Sequence, residues 1–313
     1  MKGTQSTHVC YFRPRRTLTN ANIDIAQTGT QHCKPIQVEI GGTTILMIDT
    51  PGFDDAKRPD SEILKEIAYV LVTQHRLGVE LKGIVYVHRI TEARYKGSGL
   101  KTLNILQKIC GEESMGNVLL TSSGWCKQDP EHDACARREG QLRDGFWKHM
   151  VGCGSQMGRF YGDQKSAMML VCQLLMKRPV MLDMQRELVD RGMELKDTAA
   201  GAYLYGELEA LGREQEKALQ ELLATRQSAR PRAESIHYSR GNGVDLVEEH
   251  RAEIQRTRTQ QGILDESGRI NEKVEEEVKK QVKGKTVMEI LSTVAPFIGV
   301  VLQVLFGLLN IAF

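Results

Sequence analysis

Three short apolar runs set the terms on which this chain can fold. Thr44–Ile48, Gly83–His88 and Asn117–Ser122 are each rich in β-branched or aliphatic residues and only five or six residues long. Runs of that length suit buried strands. Between and beyond them the apolar residues recur at helical spacing. Ser61–Thr73 carries Ile63, Ile67, Val70 and Leu71 behind a cap expected at Asp60 or Ser61. Leu100, Leu103 and Leu106 mark a second helix, Leu142, Phe146 and Met150 a third, and Lys165–Met176 a fourth. Gln37–Glu39 and Thr43–Ile48 flank Gly41-Gly42, which reads as a β-hairpin. Strands alternating with helices imply βαβ units and a mainly parallel sheet, an α/β fold. In such sheets ligands collect where the strands end and their loops begin.

The rest of the chain has a different texture. From about 180 to 285 it is rich in Glu, Lys, Arg and Gln and nearly free of aromatics. Leu204, Leu208, Leu211, Gln215, Ala218 and Leu222 follow a 4-3-4-3-4 spacing. That spacing makes either a short coiled-coil seam or a single helix packed on its own domain. Pro231, Gly241 and Gly243 interrupt the pattern, and a second polar helix carries Ile270, Val274, Val278 and Val282. Ser292–Phe313 contains no charged side chain. About 20 such residues are long enough to span a bilayer. Lys279, Lys280, Lys283 and Lys285 precede them as a positive flank. The segment 290–313 therefore reads as a membrane tail anchor, the other reading being an apolar helix packed on the domain or a partner.

Charge narrows the function classes. With 42 Lys+Arg against 40 Asp+Glu, the net charge is +2. No nucleic-acid partner is expected, because neutralising phosphates in bulk needs a surplus of cations. Seven cysteines without a C-x-x-C pair, and no secretory leader at Met1, point to reduced thiols and a cytoplasmic setting. Cys126, His132, Cys135, His149 and Cys153 invite a zinc reading. Zinc sites favour tight C-x₂₋₄-C pairs, so scattered thiols and imidazoles are the preferred reading.

The segment with the most chemistry in it is Asp49-Thr50-Pro51-Gly52, directly after an apolar strand. An aspartate at a strand end can hold Mg²⁺ through a water. A glycine lets its backbone N–H approach a terminal phosphate. Loss of that phosphate releases the loop, which makes a switch. The plain alternative is an ordinary turn, which Thr-Pro-Gly favours anyway.

The neighbouring residues carry a resemblance. Asp49–Asp55 (DTPGFDD) is similar to the switch II segment of septins, immunity-associated nucleotide-binding proteins and chloroplast-import GTPases. Tyr86–Thr91 with Arg94 and Gly97-Ser98 resembles a stretch of fungal G-domain proteins of this group. So do Leu142…Phe146-Trp147…Met150 and Asn117–Trp125. The resemblance covers about 25–176. It implies a Rossmann-like P-loop GTPase domain at 25–177, after a non-family segment 1–24. A helical or coiled-coil extension at 178–285 and an apolar C-terminal helix at 286–313 would follow. It also implies GTP with Mg²⁺, slow hydrolysis, and a homodimer or oligomer through the G domain or the helices. Thr30, or Thr28, would supply the switch I hydroxyl to Mg²⁺ and phosphate, and Asp49 the metal-side carboxylate. Gly52, with Thr50 beside it, would meet the phosphate, and Ser122, Ser123 and Trp125 would lie near the base. Trp125 would stack on guanine or simply pack its loop.

The chain departs from that pattern in three ways. It has no G-x-x-x-x-G-K-[ST], whose N–H groups and lysine cradle the phosphates. The first strand and the helix behind that loop are missing with it, so the domain is expected to be N-terminally incomplete. Gly284-Lys285-Thr286 lacks the earlier glycine, since position 279 is lysine. No Asn-Lys-x-Asp reads guanine, and Phe53 stands where Ras-type enzymes place a water-orienting glutamine. A degenerate G domain that binds no nucleotide and works through its helices and tail is the alternative function.

Overall fold

The computed structural model describes residues 7–12, 32–40, 43–53, 58–91, 97–125, 131–229 and 242–281. Within them the strands are β1 (Thr7–Phe12), β2 (Lys34–Ile40), β3 (Thr43–Asp49), β4 (Glu80–Arg89), β5 (Val118–Ser123) and β6 (Gln156–Arg159). They form one sheet in the order β2-β3-β1-β4-β5-β6. The helices are α1 (Asp60–Arg76), α2 (Gly97–Cys110), α3 (Glu131–Asp144), α4 (Lys148–Gly152) and α5 (Gln164–Leu175). A short α6 (Asp183–Gln185), α7 (Ala199–Ala229), α8 (Asn242–Ser267) and α9 (Ile270–Gln281) complete the set. The α/β expectation holds, but the sheet is mixed rather than mainly parallel: β4-β5 and β5-β6 pair parallel, whereas β2-β3, β3-β1 and β1-β4 pair antiparallel.

The hairpin forms as the Gly41-Gly42 pair requires. β2 and β3 pair antiparallel, and Ile40 stands opposite Thr43. β1 is the departure. Thr7–Phe12, read as outside the family stretch, fills the slot between β3 and β4 and runs antiparallel to both. Its β-branched and aromatic residues suit that place. His8 stands opposite Asp49, and Thr7 opposite Tyr86. The amino end of β1 therefore lies at the edge where β3 and β4 finish, and the chain leaves β1 at the opposite edge.

Period-two alternation divides the sheet's faces. On one face Ile84, Tyr86, Val118 and Leu120 join the main core with α1 and α2. On the other, Val85, Val87 and Leu119 meet Phe160, Leu170 and Leu174 of the α5 side. Two expectations about helices need correction as well. The N-cap of α1 is Pro59, whose carbonyl accepts from Glu62 and Ile63, and Asp60 instead pairs with Lys101 at 2.7 Å. Leu142, Phe146 and Met150 do not share one helix. Gly145–Trp147 form a turn between α3 and α4, leaving Phe146 exposed and Trp147 fully buried.

The helical half is stitched to the sheet. Val180 N–H bonds Leu81 O at 2.9 Å, and Asn117 Nδ2 donates to Lys82 O and Arg178 O. Gln185 donates to Leu71 O and Gln74 Oε1, tying α6 to α1. The seam on α7 packs on its own domain over its first part only. Leu204 and Leu208 are buried in the main core, whereas Leu211 is 42% exposed. Farther along, α7 pairs with α8 in antiparallel fashion, through Thr257 to Gln215 and Arg258 to Glu216. Ile270 and Val274 of α9 are buried and Val278 packs beside them, as their spacing required; Val282 lies outside the described residues. Arg76 of α1 reaches Asn271 and Glu275. Among the described residues no helix is long and apolar enough to cross a membrane, and 286–313 lie outside them.

Candidate functional site

β3, β4, β5 and β6 all finish at one edge, and Asp49, Thr50, Gly52, Ser122, Ser123 and Trp125 lie at or just beyond their ends. Asp49 ends β3, and the loop after it is packed in rather than projecting. Thr50 is 1% exposed, Pro51 and Gly52 are buried, and Phe53 joins the main core. Beside this loop α1 supplies Glu66, which is fully buried. Its carboxylate accepts from the Cys33 N–H and from Arg58 Nη1 at 2.7 Å, with His32 Nδ1 at 3.5 Å. The segment before β2, the segment before α1 and α1 itself are thus held by one side chain. Burial pushes the Cys33 thiol well above its ordinary range, and the charges of Glu66 and Asp49 add to this. Cys33 is a packed thiol here, not a nucleophile.

The second group sits at the end of β5. Ser122 Oγ donates to Glu139 Oε1 of α3 at 3.2 Å, and Ser123 Oγ to His88 O at 3.4 Å. Trp125 folds back so that its indole N–H donates to Ser122 Oγ at 3.0 Å. The guanidinium of Arg159, at the end of β6, covers the Trp125 ring at 4.2 Å from its centroid, and Tyr161 adjoins it. Arg159 is in turn clamped by both oxygens of Glu139, a hydrogen-bonded pair that holds the arginine pKa up. Trp125 is only 8% exposed, so a base could use this ring face only if Arg159 moved away. Among the described residues Trp125 packs its loop.

Asp49 and Ser122 face the same edge but are three strand spacings apart, about 14 Å at about 4.8 Å per strand. Thr30 and Thr28 lie outside the described residues, so of the expected metal pair only Asp49 has a place. Sequence reasoning missed Glu139, Arg159 and His88's setting. β6 is four residues long and polar, and Glu139 stands 20 residues before its partner, so no local pattern marked them. His88 is 2% exposed, set edge-on against Trp147 with centroids 6.1 Å apart. Burial lowers its pKa to about 4, so it is neutral near pH 7. Of the zinc candidates, Cys135 is buried in α3, Cys126 and the His132 side chain lie outside the described residues, and His149 meets Cys153 on α4. No family model and no curated protein matches the chain.

Proposed function

We propose that the chain is a guanine-nucleotide-responsive assembly protein on a Rossmann-like P-loop GTPase frame, with the loop after β3 as its switch. The observation that carries this is the position of Asp49–Gly52. The loop leaves the carboxyl end of a strand in an α/β sheet, on the edge where β4 and β5 also finish. Bound GTP with Mg²⁺ would supply a terminal phosphate whose presence or loss sets the loop's position. Asp49 suits the metal side and the Gly52 N–H the phosphate; Ser122, Ser123 and Trp125 form the wall toward the base. The fit is partial, since the chain offers no glycine-lysine cradle for the phosphates. Self-association through the helices, and the apolar segment 290–313 as a membrane anchor, complete the reading.

Calorimetry with GTP and Mg²⁺ tests it. Binding weaker than micromolar is expected, short of about 8 kcal/mol, and Asp49→Ala should remove its Mg²⁺ dependence. Micromolar affinity would show that the phosphates are well held without a cradle. A second reading, a nucleotide-free interaction protein on a degenerate G domain, is favoured by one feature: β1 runs antiparallel in the sheet's middle, so the chain following it leaves from the wrong edge to wrap phosphates. Absence of saturable binding at millimolar GTP selects that reading. For the anchor, deleting 290–313 should move the protein from the membrane pellet to the soluble fraction; an unchanged distribution removes the membrane role.

A further inference from the structure

At the sheet's other edge, where β5 and β6 begin, three side chains of different chemistry converge. Glu112 opens a 3₁₀ turn, Glu112–Asn117, that leads into β5. His149 lies on α4 and Cys153 caps its end, so the two project from one helical face, four residues apart. His149 Nε2 is 3.6 Å from Glu112 Oε1 and 3.9 Å from Cys153 Sγ. One ligand atom from each of the three lies within 4.8 Å of the other two. We propose that Glu112, His149 and Cys153 form a binding site for a transition-metal dication of the zinc type.

Geometry supports it first. With metal–nitrogen and metal–oxygen bonds of about 2.1 Å and a metal–sulfur bond of about 2.3 Å, tetrahedral ligand atoms stand about 3.4–3.6 Å apart. The two separations from His149 Nε2, 3.6 Å to Glu112 and 3.9 Å to Cys153, exceed this by no more than a few tenths of an ångström, and Glu112 and Cys153, within 4.8 Å of each other, would close the rest by rotation of the exposed Glu112 side chain. The ligand chemistry chooses the ion. A thiolate and an imidazole beside one carboxylate suit Zn²⁺ or Co²⁺, whereas Mg²⁺ and Ca²⁺ take oxygen ligands. On binding, the Cys153 S–H bond breaks, a sulfur–metal bond forms and the proton passes to solvent. Three protein ligands leave the fourth position to water.

The scaffold holds these groups together without the ion. Ser155 Oγ donates to Met115 O at 2.9 Å, bonding the chain after α4 to the 3₁₀ turn. Met115 and Met150 are buried in the shared core. Gly111 starts the turn at φ +74°, and a side chain there would run into the Asp183 carboxylate. The cost of bringing the two segments together is therefore met by packing, and an ion need only order side chains. Once bound, it would fasten α4 to the approach of β5.

Cobalt is the probe. Titrating the full chain, under a phosphine reductant, with Co²⁺ should give one equivalent of binding with a thiolate-to-cobalt charge-transfer band. Zn²⁺ should bleach it. Cys153→Ser should abolish the band, while Cys172→Ser, an exposed thiol on α5, should leave it intact. Glu112→Gln and His149→Gln should each weaken binding by at least the roughly 10–100-fold that even outer-shell changes cost. Glu112 and His149 are exposed and Cys153 is half-buried, and circular dichroism checks that the variants fold. A band that survives Cys153→Ser, an affinity unmoved by His149→Gln, or no saturable binding overturns the assignment.

Discussion

Replacing Glu66 with alanine should destabilise the folded chain by about 3–5 kcal/mol, the range for removing one member of a buried pair. Glu66 has no exposed side-chain surface, and Arg58 opposite it is 10% exposed. Without the carboxylate, the guanidinium loses its closest anion, at 2.7 Å, and keeps the more exposed Glu62 at 3.4 Å, while the Cys33 N–H loses its acceptor. Both losses charge the fold a desolvation penalty rather than the small net value of a surface pair. Glu66→Gln separates them, because an amide oxygen still accepts from Cys33 but carries no charge. It should cost less than Glu66→Ala and still more than about 1 kcal/mol, the ceiling for exposed pairs. Urea unfolding of the two variants makes the measurement. A loss below that ceiling in both would mean that water reaches the pair and that Glu66 does not organise this end of the sheet. Because Glu66 joins the stretch before β2, the stretch before α1 and the helix itself, its loss should also loosen the Asp49–Phe53 loop.

The parts of the fold legible in the sequence were those with a local period. β4 and β5 were visible as apolar runs because both faces of those strands are covered, by α1 and α2 on one side and by α5 on the other. Ile270 and Val274 were visible because one stripe of α9 meets α1 and the rest meets water. The failures are places where a longer-range contact decided. Phe146 sat at the right spacing for a helix face, yet Gly145 breaks the helix and Trp147 takes the core position. Thr7–Phe12 had strand-forming residues throughout, but nothing local says that it enters between β3 and β4 in reverse. The site divides in the same way. Asp49 and Ser122 could be placed because strand ends are readable. The Glu139–Arg159 clamp over Trp125 could not, since it exists only once β6 lies beside β5. Glu112 escaped notice for the same reason, and His149 and Cys153, though named among the zinc candidates, were read as scattered because zinc sites favour tight cysteine pairs.

Acid should expose a liability at the centre of the sheet. His88 is 2% exposed, and burial lowers its pKa from the ordinary 6.5 to about 4. Between those two values the unfolded chain binds a proton that the folded chain refuses, so stability falls as pH falls through that window. Above pH 6.5 neither state is protonated and the effect vanishes. At about 1.4 kcal/mol per pH unit the full interval amounts to about 3 kcal/mol, and about 2 kcal/mol is lost by pH 5. The sign is opposite to that of a histidine stabilised by a carboxylate, because here desolvation is the cause and the neutral ring is the form that fits against Trp147. Other groups titrate over the same range, so the variant supplies the baseline. His88→Phe keeps an aromatic ring against Trp147, and His88→Gln keeps a polar side chain; neither titrates. Unfolding free energies at pH 7, 6, 5 and 4 should fall more steeply in the native sequence than in either variant, the difference reaching about 3 kcal/mol at pH 4. Parallel curves would mean that the folded chain protonates His88 readily, which a ring sealed between β4 and Trp147 cannot do without opening the core.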